Sequence, residues 1–448
     1  MTAASQHIFG LWPSRLYSYS YYTICSRRTS GLLQAACLKA AAIRCCVLLV
    51  SLSFGSFSKL NRVQCLCECD GGQSQQKSVL IVGTGATGCH VAHFLRKHIQ
   101  HVNHKLLRVE IWESASCIGG GGALRSVKVK ATNGEYMTGE LSAQVLSFDS
   151  YDGVVAERLA ELRSELEFVG DGTRIGGRLS DTVERPQTWS RRSGQWEHYR
   201  AVYGTTSMLK STLQAANPCL HLNRSVVRID LTHSQQQWSV HADDGSIGRF
   251  DALVFACSAG AILKVEGVEG LLSHSQKRAL DDSLQLRITR YAALVRLRGE
   301  AAEAVCSRFS DGLQERVLDS SEIELVARNA DASKRVWSDC LLTLHSAPNS
   351  TKTDGELLAW LRDWLGLGAD AADVELVLKA DTLEQQRASD KQPFGCVEVT
   401  GVPCLILCGD WAAAGPTPSS FAGCIQSSRC AADVVWRRMR NKKNDQGL

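Results

Sequence analysis

Val79-Leu80-Ile81-Val82-Gly83-Thr84-Gly85-Ala86-Thr87-Gly88 carries a short apolar β-segment straight into a Gly-x-Gly-x-x-Gly turn. Each glycine has a physical task. Gly83 permits a tight turn, Gly85 lets backbone N–H groups approach a pyrophosphate, and Gly88 brings the next helix close to the strand. The pyrophosphate then lies at the helix N-terminus, where unpaired N–H groups and the dipole favour negative charge. The flanking sequence fits this reading. His90 to Lys97 continue as a helix, and a second apolar strand is expected over 106–112, ending in Glu113. A carboxylate at that strand end accepts hydrogen bonds from ribose hydroxyls; the plainer alternative is a solvated strand-end glutamate.

The cluster Gly119-Gly120-Gly121-Gly122 follows, a loop where backbone passes close to something. A fold that binds nicotinamide alone has no need of it. Further on stand Gly139-Glu140-Leu141-Ser142-Ala143-Gln144, Phe250-Asp251-Ala252-Leu253-Val254-Phe255-Ala256, Cys408-Gly409-Asp410-Trp411 and Pro418-Ser419-Ser420-Phe421-Ala422-Gly423-Cys424-Ile425. With Trp112-Glu113, these motifs resemble the renalase family of the amine-oxidase-like FAD superfamily, over roughly residues 77 to 437.

The resemblance implies an α/β fold: a Rossmann-like FAD-binding domain of the glutathione-reductase type, with an inserted substrate domain of mixed β-sheet and helices. It puts Gly83, Gly85, Thr87 and Gly88 on the pyrophosphate and Glu113 on the adenosine ribose. Gly120, Gly121 and Gln144 fall beside the cofactor, and Val226 meets the adenine through its backbone. Gly409 and Asp410 bind the ribityl chain or pyrophosphate, and Phe421 and Gly423 open the last helix against the cofactor. Each also has an ordinary reading: Val226 as a strand valine, Phe421 as a core aromatic, Asp410 as a cap. For Asp410 the functional reading is preferred, because the buried-strand pattern over 402–408 delivers Gly-Asp to a strand end, where ligands of such folds bind.

Two departures from the family concern the substrate rather than FAD. Where the family places an arginine after its paired glycines, this chain has Gly121 or Ala123, with Arg125 as the nearby substitute. The family's Trp-Arg pair reads Gln386-Arg387, so the cation remains while an aromatic wall is missing. Arg387 is expected to hold a substrate phosphate or carboxylate, or else to be an exposed loop arginine. His345, in Leu-Thr-Leu-His-Ser, occupies the place of a histidine near the flavin; its alternative is a satisfied structural residue at a strand end.

The implied organisation is discontinuous, with a leader over 1–76, a cofactor domain over 77–149, 205–262 and 395–440, and a substrate domain over 150–204 and 263–394. Strands are expected at 291–298, 323–327 and 341–345, and a loop over the glycine-rich stretch 170–177. Thr353-x-x-Glu356 reads as a capping box, followed by Leu357, Leu358, Leu361, Trp364 and Leu365 on one helical face, with its tryptophans in the core.

With 448 residues, 44% of them apolar, the chain can build a sizeable core. A net charge of +4 leaves no nucleic-acid footprint. No His/Cys/Asp spacing suggests a metal site, and no serine, cysteine or threonine arrangement suggests nucleophilic catalysis. The 18 cysteines mostly fall singly on apolar stretches, such as Cys257, Cys340, Cys404 and Cys408, and read as reduced core residues. Cys65-x-Cys67-x-Cys69 lacks a metal-binding companion and belongs with the leader, or is a lipidation or redox site.

The expected function is a FAD-dependent oxidase acting on misreduced dihydronicotinamide, 2- or 6-dihydro-NAD(P), with O2 as acceptor and H2O2 as product. An amine or related flavin oxidase is the alternative, and a flavin-bound non-catalytic binding protein the third reading. The partners are a small molecule and O2, with no membrane association expected after leader removal. The first 67 residues carry dispersed arginines and no Asp or Glu, the signature of an organelle transit peptide. Within them, 45–57 could instead act as a secretory core or short anchor. Residues 1–76 fused to a fluorescent reporter are expected to direct it to mitochondria or plastids; a cytosolic reporter rejects targeting, and a membrane pattern favours the 45–57 segment.

Overall fold

Along Lys77–Val82 the side chains of both faces are apolar, Val79 and Ile81 on one side and Leu80 on the other, and all three are fully buried. A strand buried on both faces belongs inside a parallel sheet. The computed structural model places it there. It describes residues 76–100, 107–119, 124–141, 145–149, 152–171, 176–178, 196–232, 236–285, 287–309, 315–318, 320, 322–329, 339–348, 350, 352–368, 373–386, 395–413 and 420–441. The central sheet runs Val397–Val399, Cys404–Cys408, Ala252–Ala256, Lys77–Val82, Leu107–Trp112, Cys219–His221, in that order. All its pairings are parallel except that of the Val397–Val399 edge.

The two faces of this sheet fill two cores. Val79, Ile81, Ile111, Val254 and Ile406 meet helices Ala86–Gln100, Gly153–Leu162, Thr205–Ala216 and Phe421–Asn441 through Phe94, Leu95, Leu159, Leu209, Ile425 and Val435. On the other face, Leu80, Trp112, Leu253, Phe255, Leu405 and Leu407 pack with Ile229, Trp238, Val240 and Phe250 of an antiparallel meander, Val226–Thr232, Gln237–Ala242 and Ile247–Phe250.

A second large sheet has the order Val374–Gln386, Arg287–Arg298, Asp339–Ser346, Ile323–Asn329, Glu315–Val317, Gly176–Arg178. Helices Gly299–Arg308 and Asp354–Leu365 cover one of its faces through Ala302, Val305, Leu357 and Leu361. Helix Asp354–Leu365 starts at the expected capping box: Thr353 Oγ1 accepts from Glu356 N, and the Glu356 carboxylate accepts from Thr353 N at 2.7 Å. Its tryptophans differ from expectation. Trp360 and Trp364 stack at 6.0 Å and are half-buried at the margin of the core rather than inside it. The glycine-rich stretch differs too, because Gly170 lies in strand Leu166–Asp171 and Gly176 and Gly177 lie in strand Gly176–Arg178. Neighbouring strands supply partners for their backbone, which overrides glycine's preference for loops.

The hairpin Ser126–Lys130 and Tyr136–Glu140 lies against the other face of that sheet, with Leu141 buried beside Leu294 and Leu341. Gly139 allows the approach, since a Cβ there would stand 2.6 Å from Leu294 Cδ2. Glu140 then joins three elements. Its carboxylate accepts from Thr205 N at 2.8 Å, Thr205 Oγ1 at 2.6 Å and Ser126 Oγ, its N–H donates to Asn329 Oδ1 at 2.7 Å, and its carbonyl accepts from Thr343 Oγ1. Among the described residues, no helix is long and apolar enough to cross a membrane. Gly88 packs helix Ala86–Gln100 tightly on the turn before it, because a Cβ on it collides with the Gly83 carbonyl. Gly88→Ala is therefore expected to cost about 1–3 kcal/mol, measured by denaturant unfolding; unchanged stability would show that the turn yields freely.

Candidate functional site

The carboxyl ends of three adjacent parallel strands converge on one spot. Gly83 leaves its strand at φ +104°, donating its N–H to Trp112 O at 2.9 Å, and a Cβ there would stand 2.8 Å from the Ala256 carbonyl oxygen. A left-handed residue with no room for a side chain has to be glycine. Gly85 differs, because a Cβ on it would meet nothing within 4 Å. Its open side lies at the start of helix Ala86–Gln100, whose first turn contains no acidic residue. Among the described residues no protein acceptor meets the N–H groups of Gly85, Ala86, Thr87 or Gly88, the orphan donors of a helix start. Thr87 is present there through its N–H alone: its hydroxyl turns to Cys424, and its carbonyl accepts from Ser428 Oγ at 2.9 Å.

Glu113 lies beside this turn, buried. One carboxylate oxygen accepts from Thr84 N at 2.7 Å and Thr84 Oγ1 at 2.6 Å, the other from Ala115 N at 2.8 Å and Ser114 Oγ at 3.2 Å. Protein donors thus occupy both oxygens, and the longest contact, from the rotatable Ser114 hydroxyl, is the one a ribose hydroxyl can take over. Segment 221–224 follows the same strand end: Glu113 N donates to His221 O, Arg224 N donates to Glu113 O, and the Arg224 guanidinium sits 5.0 Å from the Trp112 ring centroid. Val226, buried, begins the meander two residues later, and its register with Ala242 is followed by a bulge at Val227.

On the opposite flank, strand Cys404–Cys408 delivers Gly409 and Asp410. Gly409 donates its N–H to Ser427 Oγ at 3.1 Å, and a Cβ on it would stand 2.5 Å from Trp411 Nε1, which donates to Cys257 O. Asp410 accepts from Trp411 N through Oδ1 at 2.9 Å and from its own backbone N–H, and burial pushes its carboxyl above the usual range despite both bonds. Helix Phe421–Asn441 starts close by. Phe421 is buried core, edge-on to His90 at 5.4 Å and Phe148 at 5.6 Å, and the Gly423 N–H is already taken by Ser420 Oγ. These two residues build the wall of the helix start rather than present free groups.

Arg125 and His345 meet at a second place, on either side of one residue. Leu141 N donates to Arg125 O at 2.8 Å, and His345 Nε2 contacts Leu141 O at 3.3 Å. A hydrogen bond to a carbonyl requires the proton on Nε2, so the imidazole is the neutral Nε2–H tautomer. Burial, reinforced by the Arg290 guanidinium, lowers the His345 pKa to about 4. A chain of contacts joins the two places: Gly119 N donates to Thr84 O, and Thr206 Oγ1 binds Leu124 O one residue before Arg125. Gly120, Gly121, Gln144 and Arg387 lie outside the described residues, as do residues 1–75. Sequence reading missed Thr84, Glu140, Ser427 and Ser428; the position of Thr84 between two glycines of the turn was the available signal.

Three histidines, His90 and His345 buried and His93 partly so, share one sign of perturbation. His93 is lowered to about 4 by burial with the Arg158 cation beside it, His90 is lowered by burial, and His345 is lowered as above. With folded values below the ordinary 6.5, the unfolded chain binds more protons, so stability is full above about 6.5 and falls as pH drops towards about 4. His345→Gln is expected to reduce proton uptake on unfolding in this window by about one, read from denaturation at stepped pH; an unchanged slope would show that His345 is already charged in the folded state.

No family model matches the chain, and no curated protein matches it. Solved structures do. A triple mutant of putrescine oxidase with redesigned cofactor binding aligns at TM-score 0.52 and 14% identity over 81% of this chain and 99% of its own. A protein from Pyrococcus furiosus aligns at TM-score 0.51 and 13% identity, over 80% and 97% respectively. The chain has the fold of these proteins.

Proposed function

We propose that the protein is a FAD-dependent oxidoreductase of the renalase type, which oxidises 2- or 6-dihydro-NAD(P) to NAD(P)+ with O2 as acceptor and H2O2 as product. The observation that carries the cofactor assignment is the open side of Gly85, where four N–H groups without a protein acceptor among the described residues lie between the carboxylates of Glu113 and Asp410. That donor set fits a dinucleotide, with pyrophosphate on the N–H groups of Gly85–Gly88, ribose on Glu113, adenine against the Val226 backbone, and the ribityl side towards Gly409 and Asp410. Bound FAD supplies the hydride acceptor and the path to O2.

The chain's own residues bind and orient. Neutral His345 holds Leu141, and with it the entry to Ser142-Ala143-Gln144, against the second sheet without placing a charge there. Arg387 and Gln144, both outside the described residues, are assigned from the sequence resemblance, Arg387 to the anionic end of the substrate and Gln144 to the cofactor. A dihydronicotinamide loses hydride readily because its ring becomes an aromatic cation, so positioning is the main demand on the protein, and a misplacement of about 1 Å can cost on the order of a hundredfold in rate. The fold likeness to putrescine oxidase favours a second reading, oxidation of an amine.

Purified protein is expected to be yellow and to release intact FAD on denaturation, and Asp410→Ala should lower flavin occupancy; full occupancy in that variant would remove Asp410 from the site. In anaerobic mixing, 2- and 6-dihydro isomers should bleach the flavin much faster than ordinary NAD(P)H or putrescine, and air should restore the colour with about one peroxide per turnover. Arg387→Ala should raise the substrate concentration required without abolishing reduction. Faster bleaching by putrescine would move the assignment to an amine oxidase, and no bleaching by any reductant would leave a flavin-bound protein without this chemistry.

A further inference from the structure

Two cysteines that the proposed reaction does not use face each other between the edge of the central sheet and its last helix. Gly395 turns at φ +66°, pressing the chain so closely on the helix that a Cβ there would stand 3.2 Å from Cys430 Sγ. The next residue, Cys396, is buried, and both its thiol and its backbone N–H donate to the sulfur of half-buried Cys430. Neither is in a disulfide. The pair is polarised by this arrangement. Donation from Cys396 lowers the Cys430 pKa, the Arg437 cation adding to it while burial and Asp433 oppose, and the same hydrogen bond raises that of Cys396. Cys89, Cys257, Cys408 and Cys424 are all raised, mainly by burial, which disfavours their thiolates.

We propose that Cys430 and Cys396 form an oxidisable dithiol site, in which Cys430 is the attacking thiol for hydrogen peroxide and Cys396 the resolving one. The Cys430 thiolate attacks one peroxide oxygen; an S–O bond forms, the O–O bond breaks, and hydroxide leaves. The Cys396 sulfur then attacks the Cys430 sulfur of the sulfenic acid, and the displaced hydroxyl leaves as water with the Cys396 proton. Two thiols and one peroxide become one disulfide and two waters. The new bond ties the edge strand Val397–Val399 to the helix whose Ser427 and Ser428 hold Gly409 and Thr87. Because peroxide can be supplied from outside, the site does not depend on turnover by the protein.

The test uses the full chain, reduced, freed of reductant, treated with substoichiometric peroxide, alkylated, and cut with trypsin and a glutamyl endopeptidase. This digestion separates residues 392–398, with Cys396 as their one cysteine, from residues 430–437, with Cys430 as theirs. The expected product is these two peptides joined, lighter by two hydrogens than their sum, formed before any other cysteine is consumed. In Cys396→Ser the sulfenic acid should persist at Cys430 and be trapped by dimedone. Peroxide consumed first at another cysteine, or Cys430 joined to the peptide that carries Cys404 and Cys408, would overturn the proposal. The wild-type digest decides this even if the variant fails to fold.

Discussion

The Ala256 carbonyl stands where any side chain on Gly83 would have to go, and the arrangement of the candidate site depends on that contact. It lets two parallel strands keep their spacing to the last residue while the chain turns sharply into helix Ala86–Gln100. The helix start is thereby aimed across the ends of the sheet, with Glu113 on one flank and Asp410 on the other. Thr84 reinforces the turn from within, giving both its N–H and its hydroxyl to Glu113 while its carbonyl receives Gly119. The same carboxylate thus shapes the loop from a buried position, which a solvated strand-end glutamate could not do.

A second buried carboxylate governs how the two large sheets meet. Glu140 caps the start of helix Thr205–Ala216 with its side chain and reaches the second sheet with its main chain. Burial raises its pKa even though several hydrogen bonds favour the charged form, so desolvation is the larger effect. Leaving a buried donor such as Thr205 N–H without its acceptor costs about 1–3 kcal/mol, which makes this joint sensitive to change. His345 and Arg125 inherit their positions from the joint, because both act on the next residue, Leu141.

The features legible in the sequence were those with local causes. The turn from Gly83 to Gly88 and the capping box at Thr353 are each set by side chains within a few residues, and both could be placed without knowing their surroundings. Strand existence in the second sheet was readable from apolar runs such as Leu341-Leu342, but not strand length, since Val374–Gln386 is extended by pairing with Arg287–Arg298 across a long loop closure. The strand character of Gly176 and Gly177 depends on Glu315–Val317, far along the chain, and local composition could not announce it. At the site, the partners of the Thr87 hydroxyl and the Gly423 N–H, Cys424 and Ser420, become visible only once the last helix is docked. Ser427 and Ser428 look like ordinary polar residues until the helix is docked.

Those two serines have a consequence for how the protein is made. Their hydroxyls reach from the last described helix to Gly409 and to Thr87, the latter belonging to the first helix that follows the glycine turn and also met by Cys424 of the same last helix. During translation the glycine turn leaves the ribosome long before Ser428 is added, so the first helix is without this support until the last helix has been synthesised and has docked. Partial chains that end before residue 421 contain the whole nucleotide motif yet lack the wall behind it. On the proposed function, cofactor capture waits until the first and last described helices have met.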